Sequence, residues 1–459
     1  MDKKYDLVII GAGPAGYEAA REASSRGMKT ALVEKQELGG TCLNRGCIPT
    51  KTILHSAELF AQMKDGEQLG VKAEHLSFDM ERAQKRKEEV LSQLRSGIEL
   101  LMKKGKVDVY YGKAVINSRH EVQLEGKDIF LSAENILIAT GSVPSVPKLP
   151  GIHLPNVLTS DDILSKKEVY PRLTIIGGGV IGMEFASIYS ALGCKVTVIE
   201  FLDRILANMD KEISQNLKMI LKKRDVEIHT GASAEEILEG ENGGLVCRYQ
   251  EKNVEKTAES DAVLIAIGRR VCTEGLFAEG LDIATERGRI LVNEYGQTNI
   301  PNIYAAGDVV PGVQLAHAAS ARSTYAVAHM AQNLFGQEKS LPPLNMDVVP
   351  GCVYTNPEIG CVGLTQEEAK KRGVSVIVKK YPMSANGKTV LSGQERGFIK
   401  VVAEAQSHKI LGAQMMCARA TDMISEFGTA IVNELTLEQM AGVIRPHPSF
   451  SEGITEAVR

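Results

Sequence analysis

One duplicated pattern limits what this chain can fold into more than any other feature. The apolar run Leu7-Val8-Ile9-Ile10 has strand length, and Gly11-Ala12-Gly13-Pro14-Ala15-Gly16 follows at once. A helical stretch runs from Tyr17 to about Arg26, and a second strand, Thr30-Ala31-Leu32-Val33, ends in Glu34. The pattern recurs as Leu173-Thr174-Ile175-Ile176, then Gly177-Gly178-Gly179-Val180-Ile181-Gly182, a helix to about Leu192, the strand Lys195-Val196-Thr197-Val198-Ile199, and Glu200. In both copies 23 residues separate the first glycine from the terminal acid. The first glycine makes the tight turn, the second lets backbone approach a pyrophosphate, and the third lets helix and strand pack closely. The phosphate belongs at the helix N-terminus, where free N–H groups and the dipole favour an anion. Glu34 and Glu200 are placed to accept ribose hydroxyls. A lone fingerprint is a weak signal; two in register predict an α/β fold with two Rossmann-like dinucleotide-binding units.

Each copy closes alike, with Ile136-Leu137-Ile138-Ala139-Thr140-Gly141 and Val263-Leu264-Ile265-Ala266-Ile267-Gly268. The first copy is 39 residues longer between its first glycine and its closing alanine. That insertion holds the most unusual segment of the chain, Gly39-Gly40-Thr41-Cys42-Leu43-Asn44-Arg45-Gly46-Cys47-Ile48-Pro49-Thr50-Lys51. On a regular helix, residues five apart point about 140° away from each other, so the two sulfurs could not meet. Gly46 and Pro49 predict an irregular backbone that enters a helix near Pro49. Zinc fits poorly, because no second Cys or His pair is near. Two unconnected buried thiols and a redox-active disulfide remain. The adjoining fingerprint favours the second, with a helix N-terminus assisting thiolate formation.

Composition narrows the rest. The 53 Lys and Arg against 57 Asp and Glu give a net charge of −4, which argues against a nucleic-acid partner. Eight cysteines in 459 residues are too few for a disulfide scaffold. No apolar run reaches the ~18 residues that a membrane span needs, and the N-terminal run is too short for a signal-peptide core. A cytoplasmic chain without membrane or metal is expected. Cys194, Cys247, Cys272, Cys352, Cys361 and Cys417 stand alone and read as small buried hydrophobes.

The segment from Gly40 to Lys51 resembles the redox motif of the pyridine nucleotide–disulfide oxidoreductases, and within them the dihydrolipoamide dehydrogenase branch. The resemblance runs from Tyr5 to Val458. Thr298-Asn299-Ile300-Pro301-Asn302-Ile303-Tyr304-Ala305-Ala306-Gly307-Asp308 is similar to the family's second flavin motif, and Leu315-Ala316-His317-Ala318-Ala319 to the stretch along the isoalloxazine.

The resemblance implies that the first fingerprint binds FAD and the second NAD. The implied FAD set is Gly11, Gly13, Gly16, Glu34, Gly40, Thr41, Lys51, Gly112, Ala139, Thr140, Gly141, Gly307, Asp308, Leu315, Ala316 and His317, with Asp308 on the ribityl chain. The implied NAD set is Gly177, Gly179, Ile181, Gly182, Glu184, Glu200 and Gly268. Cys47 would be the charge-transfer thiolate nearest the flavin and Cys42 the thiol that exchanges with substrate. Lys51 would sit near flavin N5, ion-paired to Glu184.

Four regions are expected: 1–145 for FAD with the redox insertion, 146–270 for NAD, 271–341 completing the FAD site, and 342–459, opened by Pro342-Pro343, as an α+β dimerisation domain. Near the end lies Arg445-Pro446-His447-Pro448-Ser449-Phe450-Ser451-Glu452. From spacing alone this is a structural turn. By resemblance, His447 is the acid–base group and Glu452 orients it, facing the cysteines of a second subunit in a homodimer. The family's preceding His-Ala is Arg445-Pro446 here.

The activity so implied is oxidation of dihydrolipoamide on a lipoyl domain of a 2-oxoacid dehydrogenase or glycine-cleavage complex, with NAD⁺ as acceptor. A mercuric reductase would need a C-terminal cysteine pair, and the last cysteine is Cys417. A glutathione-type reductase would need NADP-selecting arginines, and only Arg204 follows Glu200 closely. A transhydrogenase would lack Cys42 and Cys47. A non-catalytic flavoprotein would show no thiol-dependent flavin reduction.

Overall fold

The computed structural model describes residues 3–336, 344–394 and 397–459. The boundary expected at Pro342-Pro343 lies outside the described residues.

The two fingerprints build two sheets by the same steps. In the first, Asp108–Tyr111, Thr30–Glu34, Lys3–Ile10 and Phe130–Ile138 lie side by side in that order, all parallel. In the second, the equivalent order is Val226–Thr230, Lys195–Glu200, Arg172–Ile176 and Ala262–Ile265, again parallel. The central strands are apolar on both faces where they are covered: helices pack one face of each sheet, and antiparallel strands pack the other. Leu7, Val8, Ile9, Leu32, Ile175 and Val198 are fully buried.

Each sheet gains a fifth parallel strand beside its closing strand, from a different part of the chain. Ile303–Ala305 pairs Phe130–Ile138 in the first, and Val157–Thr159 pairs Ala262–Ile265 in the second. The residues leading to Gly307 and Asp308 are therefore part of the first sheet. Glu121–Leu124 and Ala114–Ser118 extend that sheet antiparallel, while the second unit has a separate meander of Ala232–Glu239, Leu245–Glu251 and Val254–Ser260.

The helix after each fingerprint begins earlier than the apolar pattern suggested. The first is Pro14–Ser25 rather than starting at Tyr17. Proline is tolerated at that position because its missing N–H has no partner there anyway. Its small face, Ala15, Ala19, Ala20 and Ala23, packs in one cluster with Ala319, Ala326, Val327 and Ala331 of the Ala316–Phe335 helix.

The longer crossover of the first copy holds three helices, Gly40–Arg45, Cys47–Lys64 and Met80–Lys104, where the second copy has Lys211–Lys223. Beyond residue 344 the chain forms a five-stranded antiparallel sheet in the order Gly351–Val353, Ile359–Gly363, Ile410–Met416, Phe398–Glu404 and Val376–Pro382. Ala420–Val432 and Glu452–Val458 share its core through Ile424, Phe427, Ile454 and Ala457. No described helix is long and apolar enough to cross a membrane.

Candidate active site

The two fingerprint turns are near-copies in hydrogen bonding. Gly11 N–H donates to the Val33 carbonyl at 2.8 Å and Gly177 N–H to that of Ile199 at 2.9 Å. Both first glycines have positive φ, +100° and +114°. A Cβ on Gly11 would lie 2.3 Å from the Ala139 oxygen, and one on Gly177 2.4 Å from that of Ala266. Close approach to the closing strand thus forces glycine at each. The third glycines meet the first: a Cβ on Gly16 would lie 1.7 Å from the Gly11 oxygen and one on Gly182 2.0 Å from that of Gly177. Gly16 and Gly182 therefore do not line the cleft, although both were expected in the cofactor sets; they hold helix against strand.

The second glycines differ. A Cβ on Gly179 would meet no atom within 4 Å, and one on Gly13 would only graze Gly40 Cα at 3.9 Å. That open backbone is the cradle a pyrophosphate needs.

The terminal acids are also held alike. Glu34 accepts from the N–H groups of Ala12 (2.7 Å) and Gln36 (2.8 Å), and Glu200 from Gly178 (2.5 Å) and Leu202 (2.6 Å). Each carboxylate is anchored to its own turn and kept at the mouth of its fingerprint.

Both turns open on one cleft of about 1940 Å³, lined by Gly11, Gly13, Glu34, Gly40, Thr41, Gly112, Ala139, Thr140, Gly141, Gly307, Asp308, Leu315, Ala316 and His317 on one side. Gly177, Gly179, Ile181, Glu184, Glu200 and Gly268 line the other, and Cys42, Cys47 and Lys51 lie in it as well. The residues fit an extended dinucleotide on the first fingerprint and a second on the other.

The cysteines meet because the helix breaks. Cys42 lies in Gly40–Arg45, Gly46 departs to φ −140°, ψ −108°, and a new helix starts at Cys47, two residues before Pro49. The two thiols lie near disulfide distance of each other, so each controls the proton affinity of the other. The Cys42 thiol, helped by the nearby Lys51 ammonium, pulls the Cys47 thiol down to about 7 against the cost of burial. Sharing its proton with Cys47, and burial, push Cys42 up. The acidic thiol of the pair is thus Cys47.

Lys51 is one helical turn along from Cys47. Its Nζ lies 2.6 Å from Glu184 Oε2, on the Val180–Ala191 helix that follows the second fingerprint. Glu184 is buried, and its other oxygen accepts from Tyr354 N–H at 3.1 Å. The ammonium also sits 4.6 Å from the Tyr354 ring centroid, within cation–π range. Tyr354 was not legible from the sequence; it follows an edge strand with no motif around it. Nor was Arg269. Its Nε donates to Ser142 Oγ (2.8 Å) and Nη2 to the Ser142 carbonyl (2.7 Å), while Ser142 Oγ donates to Asp308 at 2.5 Å. Asp308 is therefore oriented from the second unit.

His317 lines the cleft and bonds the Pro350 carbonyl through Nε2 at 2.8 Å. Of the six other cysteines, Cys194, Cys247 and Cys417 are buried, and burial pushes each thiol up to about 12. Cys272, Cys352 and Cys361 depart from the expected buried role: all three are only partly buried, and the first two line the cleft.

His447 and Glu452 do not line the cleft. His447 Nδ1 lies 2.8 Å from Glu452 Oε1, and Glu452 Oε2 accepts from Ser449 N–H at 2.9 Å. The amide and the imidazole hold the Glu452 carboxyl below its usual range. The imidazole side chain is 79% exposed on the C-terminal domain. Among the described residues, no cluster of three or more His, Cys, Asp or Glu could hold a metal.

Comparison with known proteins agrees with this geometry. Residues 5–323 match the pyridine nucleotide-disulphide oxidoreductase model, and residues 349–458 match the dimerisation domain of the same family. A dihydrolipoyl dehydrogenase from Bacillus subtilis is 42% identical over 100% of this chain and 98% of its own length. One from Chlorobaculum parvum is 38% identical over 99% and 96%. The solved HOCl-induced flavoprotein disulfide reductase RclA from Escherichia coli aligns with a TM-score of 0.87 at 32% identity, covering 99% of both chains. Two fingerprints facing one cysteine pair, followed by a dimerisation fold, place this chain in the pyridine nucleotide–disulphide oxidoreductase family.

Proposed function

We propose that the protein oxidises protein-bound dihydrolipoamide to lipoamide and reduces NAD⁺, through the Cys42–Cys47 pair and FAD. The observation that carries the reading is a close Cys42–Cys47 pair, with Lys51 beside it, opening on the cleft that both fingerprints share. The names of the full-length relatives supply the substrate.

With the pair oxidised, a substrate thiolate attacks Cys42 and forms a mixed disulfide, releasing Cys47 as thiolate. The second substrate thiol attacks the substrate sulfur of that bond, closing lipoamide and releasing Cys42. Two electrons have moved from substrate to the pair. His447 accepts the proton of the first substrate thiol, with Glu452 fixing its tautomer, and the proton of the second goes to the departing Cys42. As His447 lies outside this chain's cleft, a second copy would present it, in keeping with the dimerisation domain. Lys51, fixed by Glu184, holds positive charge beside Cys47 and keeps it ionised. The first fingerprint, Asp308 and the Leu315–His317 stretch would hold FAD, which would supply a two-electron carrier between thiol and hydride chemistry. The second fingerprint orients NAD⁺, and Glu200 disfavours a 2′-phosphate. In sum, dithiol and NAD⁺ give disulfide, NADH and a proton.

Anaerobic titration of the holoprotein with dihydrolipoamide tests the reading. A long-wavelength charge-transfer band and NADH formation are expected; absence of both sinks it. Running NADPH with glutathione disulfide alongside separates the related disulfide reductases.

A further inference from the structure

Arg445 stands two residues before His447, in the loop between the Leu437–Ala441 and Glu452–Val458 helices. Its neighbours face solvent; Ile444 is 96% exposed. The Arg445 side chain turns the other way and is only 4% exposed. Nη1 donates to Thr455 Oγ1 at 2.6 Å and to the Met440 and Val443 carbonyls at 3.3 Å each, while Nη2 pairs with Glu426. Three helices meet on this one guanidinium: Ala420–Val432 through Glu426, Leu437–Ala441 through Met440, and Glu452–Val458 through Thr455.

The contacts lead to His447. Thr455 lies about one turn beyond Glu452 on the same helix. Among the described residues, the imidazole makes its hydrogen bond to Glu452 and to no other side chain. Where the first turn of that helix sits therefore decides where the ring points. A planar fork can reach acceptors on several helices at once, which a lysine ammonium cannot do as well.

We propose that Arg445 is the positioning residue for the His447–Glu452 pair, holding the last helix so that Glu452 presents the imidazole toward the substrate dithiol. The proposal rests on the reading of His447 as the acid–base group of the dithiol half-reaction.

The test uses the FAD-loaded protein and follows the two half-reactions separately. Arg445→Met keeps roughly the same volume without the charge, and the Glu426 carboxylate it leaves behind is 34% exposed, so water can take the place of its partner. Flavin reduction by dihydrolipoamide should slow about tenfold in Arg445→Met, a fraction of the hundredfold or more expected for His447→Ala. Arg445→Lys should recover part of the rate. Thr455→Val, which removes a single bond, should slow the same step about twofold to threefold. FAD content and NADH-driven reduction of ferricyanide, which need no thiol base, should stay at the parent level. A dithiol rate in Arg445→Met equal to the parent overturns the proposal, as does a parallel loss of both half-reactions. Should Arg445→Met fail to fold, an unchanged dithiol rate in Thr455→Val overturns it. A parent-level rate in His447→Ala overturns instead the reading on which it rests.

Discussion

Lys51 and Glu184 are 133 positions apart in the chain and form a 2.6 Å ion pair that ties the redox helix to the helix of the second fingerprint. The carboxylate is 5% exposed and the lysine side chain 28%. The pair acts on Cys47 in opposite senses, because the ammonium favours the thiolate and the carboxylate opposes it. Lys51→Met should therefore raise the Cys47 pKa, and Glu184→Gln should lower it. Thiolate absorbance of the reduced protein against pH checks both signs. A tenfold change in thiolate-to-thiol ratio corresponds to about 1.4 kcal/mol.

The Cys42 thiol is the largest influence holding Cys47 near 7. Cys42→Ala removes that donor, so Cys47 should titrate higher and fewer thiolates should be present at neutral pH. Cys42→Ser should cut dihydrolipoamide turnover by about a hundredfold or more while FAD stays bound. Loss of FAD instead would make the segment structural.

The same lowering makes the stability of the reduced form depend on pH. The folded-state value, about 7, lies below the ordinary thiol value of 9. The thiolate thus contributes fully above pH 9, and the contribution is lost as pH falls through about 7. Urea midpoints of the reduced protein should drop between those values, and Cys47→Ser should flatten that part of the profile.

Two glycines of one fingerprint should behave differently. Gly177→Ala puts a methyl group 2.4 Å from the Ala266 oxygen at φ +114°, and should cost roughly 1–3 kcal/mol, read as a lower Tm. Gly179→Ala meets no protein atom within 4 Å and should leave Tm in place. Its effect should be a rise in the KM for NAD⁺, because the added methyl faces the pyrophosphate.

The second nucleotide unit is joined to the C-terminal sheet by a buried pair. Lys400 Nζ lies 2.8 Å from Asp210 Oδ2, at 11% and 6% side-chain exposure. Asp210 also caps the Lys211–Lys223 helix by accepting from Glu212 N–H. Asp210→Ala loses both roles and should cost about 2–3 kcal/mol, because Glu212 Oε2, 3.4 Å from Lys400 Nζ, still faces the ammonium. Asp210→Asn keeps the cap and loses the charge, so the difference between the two variants in denaturant unfolding isolates the cap at about 1 kcal/mol.

Both fingerprints, their acids and the cysteine segment were legible in the sequence because their signals are local. A strand, a glycine turn, a helix and a terminal acid follow one another within 23 residues, and backbone geometry imposes each step nearby. The role of Gly46 was legible in kind, as a break that lets Cys42 and Cys47 meet.

The tertiary structure alone decided which distant groups touch. It set Tyr354 against Lys51, carried Arg269 through Ser142 to Asp308, completed the first sheet with Ile303–Ala305, and folded Arg445 inward against Glu426 and Thr455. None of these contacts has a periodicity or spacing to betray it. Each arises because a charged or polar group buried by packing must find a partner wherever the fold brings one. Local sequence therefore determined where the dinucleotides and the thiols belong, and packing between units decided how their charges are held.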